Sequence, residues 1–211
     1  MKSLRFLLSA ALLLFSSLAF AQSDVHAHSD AQKLSANSAP SQAQMSSEKA
    51  APTAAQQSFT QMKTLAGSWE GRVTVDPLMP GMTEQPIKPL HLTMRVTSRG
   101  NTMVHEFQEA NTPLDPAKYD HPVTMFYLDN GQLNLVHYCD AGNRPHMTAR
   151  PMADVNKIEF DFADVSGGEK YGHMHHAVFT IIDADHHTED WTFMLPGDKP
   201  VHAHFDAHRV N

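Results

Sequence analysis

The chain has 211 residues, enough for one domain or two small ones. Its formal charge of −7 at neutral pH argues against a general nucleic-acid binder, which needs a basic face to displace counterions from phosphates. A single cysteine excludes an intramolecular disulfide framework and any multi-thiolate zinc site, while 41% hydrophobic residues suffice for a packed core.

Residues 1–21 read as a secretory signal. Lys2 and Arg5 give a positive start, residues 6–18 form an apolar run short for a bilayer span, and Ala19-Phe20-Ala21 puts small residues where a signal peptidase reads. Cleavage before Gln22 would give a periplasmic or secreted protein; the alternative is an uncleaved anchor. No cysteine follows the apolar run, so a lipoprotein anchor is excluded. No later stretch is long and apolar enough to insert into a membrane. Residues 22–57 are rich in Ala, Ser and Gln and bury too little to offset their ordering entropy, so they read as a disordered tether. His26 and His28 lie in it as exposed imidazoles, with a weak metal site as the lesser alternative.

Order is expected from residue 58. Phe59, Met62 and Leu65 recur at helical spacing and Gly67 can cap a short helix, which would act as a plug or lid. From Trp69 onward the pattern is β. Candidate strands are 69–76, 89–97, 102–109, 123–129, 132–139, 146–152, 157–164, 174–182, 188–195 and 201–210, separated by glycine- and asparagine-bearing turns. Asn130-Gly131 is the strongest hairpin signal, because both residues tolerate positive φ. About ten strands joined mostly by short turns predict an all-β antiparallel meander over 58–211 that closes into one barrel, since closure removes the free edges. A sandwich would need longer crossovers.

Two stretches resemble known groups. Leu65-Ala66-Gly67-Ser68-Trp69-Glu70-Gly71, a short helix followed by Gly-x-Trp, resembles the opening of calycin barrels, the lipocalin, fatty-acid-binding and nitrobindin-like group. That resemblance implies an Arg on the last strand packed on the Trp, here Arg209 on Trp69. The stretch 137–147, with the pattern His-Tyr-Cys-x-x-Gly-Asn-x-Pro-x-Met, together with 123–129, 173–175 and Trp191, resembles an uncharacterised bacterial exported family. Nitrobindin-like barrels hold haem through a late histidine, which implies His202, His204 or His208 as candidates here.

Thirteen of the 15 histidines lie beyond residue 58. His137 and Cys139 share one strand face with Leu133 and Leu135, which places them towards the barrel interior. Three readings fit: a soft metal site for Cu(I) or Zn, a small buried thiol beside a hydrogen-bonded core imidazole, or a nucleophilic pair, which would need a depressed thiol pKa. His173 and His175 share one face, with Met174 and His176 on the other; a copper site or a strand end with exposed imidazoles both fit. His202, His204, Asp206 and His208 alternate with Val201, Ala203, Phe205 and Ala207, and packing favours the imidazoles outside. His186, His187, Glu189 and Asp190 read as solvated charges around a turn before Trp191. Arg144 and His146 are placed at the barrel mouth, where an anionic ligand or a structural role fits. Seven methionines on strands, among them Met147, suit either an adaptable cavity or plain core filling.

These readings predict a binding barrel for a small, mostly apolar molecule, with candidate ligand contacts His137, Cys139, Arg144, His146, Met147, His173, His175 and Trp191. The alternative is a haem or copper barrel, with His137, Cys139, His175 and His204 as candidate metal ligands. An enzyme is the third reading; the sequence has no Gly-x-Ser-x-Gly elbow, His-Glu-x-x-His or phosphate loop.

Overall fold

The computed structural model describes residues 50–86 and 88–210. The expected signal segment 1–21 and most of the expected tether lie outside them. Helix α1 (Ala54–Thr64) begins inside the stretch expected to be tether. The cause is a capping box: the Thr53 hydroxyl accepts the Gln56 amide at 3.3 Å, and the Gln56 side chain accepts the Thr53 amide at 2.8 Å. Phe59, Met62 and Leu65 then face inward and are almost wholly buried.

Ten strands follow: β1 (Gly67–Asp76), β2 (Leu90–Thr97), β3 (Thr102–Glu109), β4 (Val123–Asp129), β5 (Gln132–Tyr138), β6 (Arg144–Arg150), β7 (Lys157–Ser166), β8 (His173–Ile181), β9 (His186–Leu195) and β10 (Lys199–Val210). Each pairs antiparallel with the next, and β1 pairs with β10, so the sheet is a closed barrel. The β4–β5 hairpin turns on Asn130 and Gly131, both at positive φ, as a type I′ turn requires.

Alternation along each strand builds the inner wall. Across the β1–β10 seam, Val73 faces Phe205 and Val75 faces Ala203; across β10–β9, Ala207 faces His187, Phe205 faces Glu189 and Ala203 faces Trp191. One end of the barrel is closed by α1, which rests on β4 and β5. Its buried Phe59, Met62 and the following Leu65 join one core cluster with Trp69, Leu92, Met94, Met103, Leu133 and Leu135.

The seam is pinned at this end. The Arg209 guanidinium lies 4.1 Å from the Trp69 ring centre, the cation–π contact that the calycin resemblance implied. Arg209 also donates to the carbonyls of Ala66 (2.9 Å), Thr64 (3.3 Å) and Ala184 (2.9 Å). Trp69 Nε1 donates to the Leu65 carbonyl at 2.8 Å. The last strand thus satisfies the Thr64 carbonyl, which the end of α1 leaves without an intrahelical partner, and the Ala66 carbonyl just beyond it. Gly67 sits at φ +145°, and a side chain there would collide with the guanidinium, which explains the Gly-x-Trp spacing.

Candidate functional site

The opposite end of the barrel is not filled. A cavity of about 260 Å³ opens there, and its wall is mostly apolar: Val73, Phe107, Met174, Phe193, Val201 and Phe205 carry much of it. Two connections longer than hairpin turns, 77–89 and 110–122, bring Met79, Asp120 and Pro122 to the rim. Asp140 completes the rim from the β5–β6 turn.

Polar groups enter the wall at few points. His137 lines the cavity and is almost wholly buried. Its Nδ1 is fixed by the Thr124 hydroxyl at 2.8 Å, and its ring packs 5.6 Å from Trp191. Burial drives the imidazole pKa down to about 3, with His105 adding to the effect. The ring is therefore neutral at physiological pH, and it offers a hydrogen bond rather than a charge.

Cys139 lies on the lip. Burial pushes its thiol pKa up; Asp120 and Asp140 add to this, and a backbone hydrogen bond from Ala141 opposes it. The group stays a protonated thiol at neutral pH, which is the inert rather than the nucleophilic state. Asp120 is likewise pushed above the ordinary carboxylate value, first by burial and then by Asp140.

Beneath the cavity lies a buried polar cluster. Glu189 is wholly buried and accepts three N–H donors: His105 Nε2 at 3.0 Å, His187 Nε2 at 3.0 Å and Trp191 Nε1 at 2.8 Å. Burial opposes ionisation of this carboxyl. The charge and hydrogen bond of His105, then His187, outweigh that penalty and hold its pKa at about 2. The cluster fixes Trp191 by its indole nitrogen, so only the ring surface is presented to the cavity.

This cluster corrects the expectation of solvated charges for His187 and Glu189, whereas Asp190 is exposed and His186 half-exposed, as expected. β9 already begins at His186, and its alternation carries His187, Glu189, Trp191 and Phe193 inward together. His105 was not singled out by the sequence reading. Its inward phase between Met103 and Phe107 was the available signal, but an isolated imidazole on an apolar face does not identify its partner.

Of the eight expected ligand contacts, the structure brings His137, Cys139 and Trp191 to the cavity wall. The other five lie elsewhere. Met147 is sealed in the core. Arg144 is exposed and bonds Ser166 at 3.0 Å. His146 bonds Asp164 and Asn134 at 3.1 and 3.2 Å. A bulge between Met174 and His176 shifts the phase of β8, so Met174 rather than His173 or His175 reaches the cavity. His173 and His175 instead pack on Phe162, with ring centres 4.4 and 5.2 Å away, and bond each other at 3.1 Å.

The expected metal set of His137, Cys139, His175 and His204 does not converge. His204 points outward and bonds Asp190 at 2.6 Å. The expected late-strand haem ligands fail for the same reason. Val201, Ala203, Phe205 and Ala207 take the inner face of β10, so His202, His204 and His208 lie outside.

Gly142 and Asn143 of the 137–147 pattern shape and anchor the turn. Gly142 turns the chain at φ +76°. Asn143 is buried and donates to the carbonyls of Gly168 and Gly172 at 2.8 and 2.7 Å. It fastens the β5–β6 turn to the β7–β8 loop.

No protein-family model and no curated protein matches this sequence. Among solved structures, the fold is similar to that of Rv2717c from M. tuberculosis, with a TM-score of 0.52 and 13% identity over 73% of this chain and 98% of that one. A protein of unknown function of the DUF3598 family from Nostoc punctiforme gives a TM-score of 0.47 and 10% identity, covering 71% of this chain and 49% of that one. The first likeness shows the fold alone.

Proposed function

We propose that this chain is an exported binding protein that holds one small, mostly apolar molecule in the open end of its barrel. The observation that carries this reading is the asymmetry of the interior. One end is plugged by α1 and large side chains, while the other keeps an apolar cavity of about 260 Å³ with a neutral imidazole in its wall.

The wall chemistry narrows the ligand. The volume falls just below the ~300–1,000 Å³ typical of sites for drug-sized molecules, so the ligand is small. His137 offers a hydrogen bond without charge, which suits a hydroxyl or carbonyl group. Asp120 and Asp140 at the rim oppose a carboxylate-headed ligand by like-charge repulsion. A compact, uncharged apolar compound with one polar atom fits these conditions.

The test is a fluorescence titration with 1-aminoanthracene, an apolar aromatic probe. Saturable binding with a blue shift is expected for the full chain. Ala203→Phe projects a ring into the cavity and should abolish that binding while circular dichroism stays unchanged. No saturable binding to the parent protein, or equal binding to the Ala203→Phe variant, would reject the proposal. A Soret band or stoichiometric copper in protein purified from its native host would favour the haem or copper reading instead.

A further inference from the structure

The outer face of β9 and β10 carries imidazoles that the cavity does not use. Among the described residues, two clusters on the barrel exterior each gather three groups able to ligate a metal: His186, Asp206 and His208, and Glu159, Asp161 and His176. In the second, Arg150 is ion-paired with both Glu159 and Asp161. The guanidinium there takes the place a cation would have, and its hydrogen bond is the leading cause that holds the Glu159 carboxyl below its usual range.

The first cluster is built differently. His186 and His208 are directly opposite each other across β9 and β10. The Arg209 amide bonds the Asp185 carbonyl at 2.9 Å. Residues 185 and 209 therefore occupy a hydrogen-bonded position of the ladder, and 186 and 208 a non-bonded one, where facing side chains come closest. The two imidazoles stack at 4.3 Å between centres, 21° from parallel. Both aim Nε2 at one atom, Asp206 Oδ1, at 2.7 Å from His186 and 3.7 Å from His208.

We propose that His186, Asp206 and His208 form a binding site for a divalent transition-metal ion of the Zn²⁺ class on the outer wall, separate from the cavity. Tetrahedral coordination at Zn–N and Zn–O lengths near 2.1 Å puts neighbouring donor atoms about 3.4 Å apart. The observed 2.7 and 3.7 Å straddle that spacing, and all three donor atoms lie within 4.8 Å of one another, so rotation of the two stacked rings about their side-chain bonds would bring them onto one ion. Two imidazoles and one carboxylate select a borderline ion over Ca²⁺ or Mg²⁺, which take oxygen ligands. The ladder holds both backbones rigid, and the fourth position faces solvent, open to water. Glu70 on β1 stands opposite His208 and adds negative charge, whereas Arg72 stands opposite Asp206 and adds positive charge.

Equilibrium dialysis of the full chain against Zn²⁺ at pH 7.5 tests this, with Co²⁺ as a spectroscopic substitute. One Zn²⁺ should be lost, or its affinity lowered at least tenfold, in both His186→Gln and His208→Gln. His202→Gln, on the same face but outside the cluster, should change affinity less than twofold. The Co²⁺ form should show the intense visible bands of low coordination number, and the two site variants should lose them. Unchanged Zn²⁺ binding in His186→Gln and His208→Gln would overturn the proposal, as would an equal loss in His202→Gln. Near-UV circular dichroism identifies any variant that fails to fold, and Asp206→Asn then serves as the substitute, with a tenfold loss expected and none overturning the site.

Discussion

Glu189 shows how much one inward residue can fix. A carboxylate in the middle of a barrel is tolerable only because three N–H groups converge on it. Glu189→Gln keeps the shape but replaces one acceptor oxygen with a donor facing donors. A loss of about 3–5 kcal/mol is expected, following other broken buried charge pairs, and is read from the urea midpoint at unchanged slope. His137 makes a pH prediction with a definite sign. Its pKa falls from 6.5 to about 3 on folding, so the unfolded chain takes up a proton that the folded one refuses. Stability is complete above pH 6.5 and declines as pH drops towards 3, by up to about 1.4 kcal/mol per pH unit. Burial also lowers the pKa of His173, which acts in the same direction. Glu189 extends the decline between about 4.5 and 2. His137→Gln should flatten the stability profile between pH 6.5 and 4.5; an unaltered slope there would show that the imidazole is not held neutral.

Single elements carry devices that periodicity does not reveal. The start of α1 was legible, because Thr53-Ala54-Ala55-Gln56 spells a capping box, yet composition alone assigned those residues to the tether. Thr53→Ala should cost about 1 kcal/mol, measured by thermal unfolding. The bulge in β8 was not legible. His173-Met174-His175-His176 reads equally well in either phase, and the partner strand β9 decides which side chains reach the cavity. The β5–β6 turn is held from outside itself. Asn143→Ala removes two hydrogen bonds to the glycine loop and should lower stability by about 2 kcal/mol, read from the denaturation midpoint.

At the level of the whole molecule, the two ends of the barrel have separate tasks. The plugged end closes the seam through Arg209, Trp69 and the carbonyls of α1; the other end keeps space. Arg209→Ala should therefore speed amide exchange at 67–70, where β1 meets β2 and β10, and leave 1-aminoanthracene affinity within twofold. Loss of probe binding in that variant would show the two ends to be coupled. The β content, the strand boundaries to within a few residues and the antiparallel order followed from alternation and turn chemistry, which act between near neighbours along the chain. The outward imidazoles of β10 followed too, because its alternate residues are apolar and must be buried. The buried cluster did not, since His105 and Glu189 are 84 positions apart and neither names its partner locally. Which polar groups meet inside a closed barrel depends on register and on how far α1 and its neighbours fill one end; both are set by contacts between distant strands, and only the tertiary structure contains them.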